Sequence, residues 1–247
     1  GLQAVMAEKS GIEPSVEGGH WYVDSLATTA AFRAALGRSS IVHISSHAFA
    51  GADSLDAPHI ELYDAPFYIF DMQGYDRHPS LVVLSACRTG DGRFVSGEGV
   101  QSLARAFTAG GAAAVVAGWW NVNDEAAAKL MAGFYRLMAE QAAGAGGSVN
   151  AAFALRRAKL AWISDARVSP LLGLPYYWAA LNYQGNPRPF SPGAVSGLRG
   201  NSGTSRLRHE ASELLRHGRV PGGWWWLAIV VIVAGFAGWR IARTRRS

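Results

Sequence analysis

Short apolar runs alternate with segments of helical periodicity along the first 190 residues of the chain. Nearly continuous apolar runs at 81–86 and 112–120 predict buried strands, and the β-rich segment at 41–45 predicts another strand. The segments with helical periodicity lie at 28–36, 99–109, 124–140 and 149–162. Residues 58–76 predict one or two further strands or a hairpin, and residues 174–185 predict a last strand. This alternation indicates an α/β domain over residues 1–190, with a mostly parallel sheet flanked by helices.

The composition changes beyond this domain. Residues 191–219 are rich in Pro, Gly, Ser and Arg, which predicts a flexible basic linker. Twenty uncharged residues follow at 220–239, and at 1.5 Å per residue a helix of this length spans roughly the 30 Å hydrocarbon core of a membrane. Tryptophans at 224–226 and at 239 match the aromatic belts of the two membrane interfaces. We therefore predict a transmembrane helix at 220–240 and a basic tail at 241–247.

Charge is divided unevenly between these parts. Residues 1–190 carry 14 Lys and Arg against 16 Asp and Glu, a balance of −2, whereas residues 191–247 carry 9 against 2, a balance of +7. A nucleic-acid partner is not expected, because the folded part shows no basic surface in its sequence. The basic tail flanks the apolar run and favours a membrane as partner. Four arginines on each side of the run leave its orientation open, and a single-pass protein with a cytoplasmic domain is expected.

The cysteine content and the start of the chain add two expectations. One cysteine excludes an internal disulfide framework and a Cys-rich zinc site, and it fits a reducing compartment. The histidine spacings indicate no metal site, and no cofactor motif is present. The chain begins without an initiator methionine, which suggests a fragment or a processed piece.

Two predicted strands run into chemically reactive side chains. The run at 41–45 is followed by His47, and the run at 81–86 by Cys87. Carboxyl ends of parallel strands lie at one edge of a sheet, where open α/β folds bind ligands. The imidazole of His47 could hold Cys87 as a thiolate and act as general base and acid. Backbone N–H groups of Ala48 and Cys87 could face the developing oxyanion.

Six blocks of the sequence resemble successive blocks of the CHAT domain, a family of caspase-like cysteine peptidases. In order they are HISSHA, LVVLSACRTGDG, GEGVQSLARAF, GGAAAVVAGWWNVND, AAKLMAGFYRLM and PYYWAALNYQG. The resemblance covers about residues 24–185. It implies the caspase–hemoglobinase fold and a catalytic dyad of His47 and Cys87 without a third member. It also implies a protein substrate and a regulated role in bacterial defence or cell death, with an activating partner or an N-terminal sensor region.

The chain departs from the family pattern at two places. The family's domain normally begins with another strand and helix before the block at residues 27–28, so the first strand is expected to be missing or much altered. The family's histidine is often followed by Gly, and here Ala48 takes that place. Alanine still offers its N–H group but adopts fewer backbone conformations than glycine.

Three residues are candidates for substrate binding. Ser85 shares a strand face with Cys87 and could floor the pocket for the substrate side chain. Arg-specific relatives often carry Asp there, so the neutral Ser85 does not favour a basic substrate residue. Asp124 could supply a charge or simply cap a helix. Trp120 could line the pocket or be an ordinary core or rim aromatic.

Two other functions are compatible with parts of the sequence. Cys87 and Arg93 have the spacing of a Cys-dependent phosphatase loop, but Asp91 would place a negative charge in the phosphate cradle, and Phe94 and Ala86 replace the usual flanking residues. A membrane-tethered signalling scaffold that has lost turnover is the non-enzymatic alternative. In a scaffold, Cys87 would behave as an ordinary thiol with a pKa of ~8.5.

Overall fold

A computed structural model shows how these segments assemble. It describes residues 2–16, 19–49, 57–75, 77–85, 98–120, 124–144, 147–165, 167–192 and 229–233. The strands of these ranges are β1 His20–Val23, β2 Ile41–Ser45, β3 Ala48–Phe49, β4 His59–Glu61, β5 Pro66–Tyr68, β6 Leu81–Leu84, β7 Ala114–Gly118, β8 Leu181–Gly185 and β9 Ile229–Val233. The helices are α1 Leu2–Ile12, α2 Thr29–Arg38, α3 Glu98–Ala109, α4 Asp124–Ala143, α5 Ala151–Ser164 and the short α6 Pro175–Trp178.

Six strands form the main sheet in the order β1-β9-β2-β6-β7-β8. All neighbours are parallel except β7 and β8, which pair antiparallel. The predicted α/β domain with a mostly parallel sheet is therefore confirmed. A second sheet, β3-β4-β5, is antiparallel and includes the hairpin expected within residues 58–76.

The main sheet separates two hydrophobic cores. Side chains that alternate along a strand point to opposite faces, and both faces of β2, β6 and β7 are buried. Ile41, Leu81 and Val83 belong to the core that contains buried side chains of α1, α4 and α5. Val42 and Val82 belong to the core that contains those of α2, α3 and the second sheet. The near-continuous apolar runs in the sequence reflect this double burial.

The described part of the C-terminal apolar run is a strand and not the predicted transmembrane helix. Ile229–Val233, which lies inside the predicted transmembrane helix, is strand β9 between β1 and β2. Among the described residues no helix has the length and apolar character that crossing a membrane requires. The physical reason is that Ile and Val suit buried strands as well as membrane helices, and a run without polar residues carries no periodicity to separate the two. The rest of 220–240 lies outside the described residues.

We predict that Val231→Pro destabilises the domain, because Val231 pairs with Trp21 of β1 and with His43 of β2. Proline cannot donate a ladder hydrogen bond in the interior of a sheet. The loss should be roughly 1–3 kcal/mol, which lowers Tm by roughly 2–12 °C for a chain of this size. Calorimetry of the full chain would measure it. Val195→Pro in the predicted linker is the matched control, and equal Tm values for the two variants would contradict the placement of β9.

Candidate active site

The two strands that lead to the predicted dyad are direct neighbours. β2 and β6 pair in parallel, with Ile41 opposite Leu81 and Ile44 opposite Leu84, an offset of 40 positions. The Ser85 N–H continues the ladder by donating to the Ile44 carbonyl at 3.0 Å. His47 and Cys87 are separated by the same 40 positions in the sequence. Cys87 itself lies outside the described residues.

The segment that carries His47 is tied to the second sheet. The His47 carbonyl accepts a hydrogen bond from the Glu61 N–H at 2.9 Å, and the Ser46 hydroxyl donates to the Glu61 carbonyl at 2.5 Å. His47 is half-buried and lies two residues beyond the end of β2. In a trans peptide the C=O and the next N–H point in opposite directions, and no cis peptide is present in the described chain. Because the His47 carbonyl points toward β4, the N–H of Ala48 points away from it.

A buried carboxylate contacts the carboxyl ends of β2 and β6. Glu8 of α1 accepts hydrogen bonds on Oε2 from the Ser45 hydroxyl at 3.3 Å and from the Ser85 hydroxyl at 2.5 Å. Its other oxygen, Oε1, lies 3.5 Å from Nε2 of His43. The Glu8 side chain is 9% exposed and His43 is fully buried. Glu8 therefore connects the N-terminal helix with β2 and with the residue that follows β6.

His43 joins this carboxylate to helix α4. Its Nδ1 lies 2.9 Å from the hydroxyl of Tyr135, which is also fully buried. Burial and the facing Glu8 carboxylate raise the pKa of Tyr135 well above its ordinary value, so the phenol keeps its proton and can donate to Nδ1. Tyr135 also belongs to the hydrophobic core that contains the buried side chains of α1, α4 and α5.

The Glu8 carboxyl is held in its charged form. Burial alone would raise its pKa, but the facing His43 and the hydrogen bonds from Ser85 and Ser45 outweigh burial and lower it. Nε2 of His43 faces Oε1 of Glu8 at 3.5 Å, and Nδ1 of His43 faces the Tyr135 hydroxyl at 2.9 Å. Glu8 therefore brings a charged carboxyl group to the two serines that precede the candidate dyad in the sequence.

Ser85 has a neighbour that the local sequence does not indicate. It follows β6 directly, is half-buried and donates to Glu8. Ser85 itself is neutral, so its side chain supplies no counter-charge for a basic substrate residue. In the structure a carboxylate from α1 contacts the serine hydroxyl across 77 positions of sequence.

Trp120 lies beyond β7, at the same edge of the sheet as His47 and Ser85. It is half-buried, its indole N–H donates to the Tyr176 carbonyl at 2.8 Å, and the two rings stack with centroids 6.4 Å apart. Asp124 is the first residue of α4. Its side chain lies outside the described part of the chain.

Glu8 is the feature that the sequence analysis missed, together with the helix that carries it. A signal for the helix was present, because Val5 and Ile12 are two helical turns apart and both contact the core in the structure. The partners of Glu8 could not be predicted, since contacts between distant segments leave no local pattern.

A comparison with protein-family models matches residues 2–186 to the CHAT domain. The match covers 185 of the 247 residues. The chain belongs to the CHAT-domain family. CHAT domains are related to caspase-like cysteine peptidases, in agreement with the sequence blocks, and the match extends the domain toward the N-terminus to include α1 and Glu8. No curated protein matches the chain.

We predict that the acid stability of this CHAT domain depends on Glu8. Its pKa in the folded state lies below the ordinary 4.5, so its stabilising effect is complete above about pH 4.5 and is lost as the pH falls through the folded pKa. Urea unfolding between about pH 6 and 3.5 should show a steeper loss for the unaltered chain than for Glu8→Gln, by up to ~1.4 kcal/mol per pH unit.

The control for this comparison is Glu13→Gln. Glu13 lies just after α1 and is largely exposed, paired with Lys9 at 2.8 Å, so its variant should keep the slope of the unaltered chain. Identical slopes for Glu8→Gln and the unaltered chain would contradict the buried ion network.

Proposed function

We propose that this protein is a cysteine endopeptidase that cleaves a protein substrate through Cys87 and His47. The observation that carries the proposal is the parallel pairing of β2 with β6 in a register of 40 positions, which is also the separation of His47 from Cys87. Neighbouring strands lie about 4.8 Å apart, so residues that continue both strands in the same register would come within reach of a hydrogen bond. Membership of the CHAT family supports the same reaction class.

In the proposed reaction the Cys87 thiolate attacks the carbonyl carbon of the peptide bond, after His47 has taken the thiol proton. The C=O electron pair moves to oxygen, returns, and expels the amine, which takes the proton from His47. A thioester between Cys87 and the substrate remains. His47 then deprotonates water, the hydroxide attacks the thioester, and the C–S bond breaks to release the carboxyl product and the thiolate.

The peptide geometry at Ala48 supports an oxyanion site there. Its N–H points away from β4, and β3 is an edge strand of the second sheet. A donor on the side of β3 that is not paired with β4 could stabilise the negative oxygen of the tetrahedral intermediate. The Cys87 N–H is the second proposed donor, as the sequence predicts.

The substrate residue before the cleaved bond would lie between Ser85 and Trp120. Ser85 follows β6, Trp120 follows the adjacent β7, and both lie at the carboxyl edge of the sheet. The stacked pair of Trp120 and Tyr176 offers an apolar wall beside the serine. Asp124 stays a candidate through its place at the start of α4.

We predict that Cys87 is an activated thiol. It is the one cysteine of the chain, so alkylation by iodoacetamide reports on a single group. With an activated dyad, the rate of the full chain should stay high below pH 7, whereas the ordinary thiol pKa is ~8.5. His47→Ala should lower the rate at pH 6–7 at least about tenfold and remove any endopeptidase turnover by roughly 10²–10⁴-fold.

The matched control is His20→Ala, at an exposed histidine of β1, which should leave the rate unchanged. A rate that is high at low pH but indifferent to His47 would favour the phosphatase-like loop, and Arg93→Ala would then lower it. A slow rate in the unaltered chain and in His47→Ala would contradict the peptidase proposal for the isolated chain and favour the scaffold.

A further inference from the structure

We propose that Glu8 is a positioning residue for the dyad, because its carboxylate links the two strand ends from which His47 and Cys87 follow. The inference rests on the proposed function. Glu8 acts through the two serines and does not touch the reacting atoms.

Glu8 contacts each of the two chain segments at the serine that stands two positions before the dyad residue. One oxygen atom, Oε2 of Glu8, accepts both the Ser45 and the Ser85 hydroxyls. Ser45 and Ser85 follow the paired residues Ile44 and Leu84 and occupy the same register. Each serine stands two positions before its dyad residue in the sequence. A change in the spacing of the serines would therefore change the spacing of the residues that follow them.

Glu8 is itself held from the opposite side. The ionisable groups that face it in the described chain are His43 of β2 and Tyr135 of α4, which form a continuous chain of polar contacts with Oε1. α1 also packs closely on α4. A β-carbon added to Gly11 would lie 3.2 Å from the Ala132 β-carbon, closer than most such contacts. The carboxylate thus has little freedom to follow the serines if they move.

A direct role in binding a basic substrate residue is the competing interpretation, and the contacts argue against it. The Glu8 side chain is 9% exposed, and both oxygens already face hydroxyl or imidazole groups. A cationic substrate side chain would have to displace Ser85 to reach it. The contacts of Glu8 therefore fit a side chain that links segments of the protein better than one that binds a substrate.

The test compares Glu8→Ala with Glu8→Gln in the full chain. Alanine removes the link. Glutamine keeps an oxygen that can accept from both serines but removes the charge, and the His43 tautomer can adjust to the new amide. Ile12→Val is the matched control, since Ile12 is a fully buried residue of the same helix and the change weakens packing without touching the carboxylate. The readout is the pH profile of Cys87 alkylation, with Tm measured beside it.

Loss of the Glu8 charge and loss of its positioning role would shift the inflection of the pH profile in opposite directions. Loss of a nearby negative charge favours the thiolate and would move the inflection of the profile downward in both Glu8 variants. Loss of positioning separates the thiol from His47 and moves the inflection upward, toward ~8.5. We expect the upward shift for Glu8→Ala, with a rate at pH 6 at least about tenfold lower. Glu8→Gln and Ile12→Val should stay within about threefold of the unaltered chain.

Two results would overturn the inference. One is an inflection for Glu8→Ala that stays in place or falls, and the other is an equal upward shift for Ile12→Val. If Glu8→Ala does not fold, Ser85→Ala removes one half of the link, and an unshifted profile in that variant would count equally against it. An unaltered chain with an ordinary thiol would instead remove the proposed function and the inference together. An activated thiol that requires His47 but ignores Glu8 would remove the inference alone.

Discussion

The parallel pairing of β2 with β6 is the constraint on which the rest of the candidate site depends. Parallel neighbours end at one edge of a sheet, so the residues that follow them emerge side by side. Both strands are buried on both faces, and each face packs into a different core. A slip of one residue would exchange the two faces of a strand, so the cores themselves hold the register. The register of β2 against β6 is therefore set by packing, and the contacts of Glu8 are made within that register.

The polar network around Glu8 is not explained by stability alone. A buried carboxylate is costly unless it is hydrogen-bonded, and an apolar replacement of similar volume often gives an equal or more stable protein. Glu8 avoids the cost through the hydroxyls of Ser45 and Ser85 and through the facing His43. What an apolar side chain could not do is join two strands and a helix at one level of the sheet. Directional contacts of this kind are a reason to keep a charge in a core.

The sequence predicts the central strands well because their double burial leaves uninterrupted apolar runs, as at Leu81–Leu84. It predicts α4 and α5 because their helical periodicity is long and regular. The pairing of strands that lead to His47 and Cys87 also follows from general rules for parallel sheets. The contact between His43 and Tyr135 spans 92 positions, and that between Glu8 and Ser85 spans 77. Such contacts depend on the assembled tertiary structure, so local patterns do not contain them.

The two distant ends of the described chain meet on β2. Glu8 near the N-terminus contacts Ser45 at the end of this strand, and β9 near the C-terminus pairs along its whole length. With β6 on its other edge, β2 has a paired neighbour on each side and a packed core on each face. A strand enclosed in this way is among the last parts of a domain to open locally. The proposed general base, His47, therefore lies two residues beyond one of the most constrained strands of the described chain. The proposed nucleophile, Cys87, comes after the neighbouring strand β6 in the sequence. Precision in the site then depends less on the loops than on how the distant segments α1 and β9 dock against the strand that leads to His47.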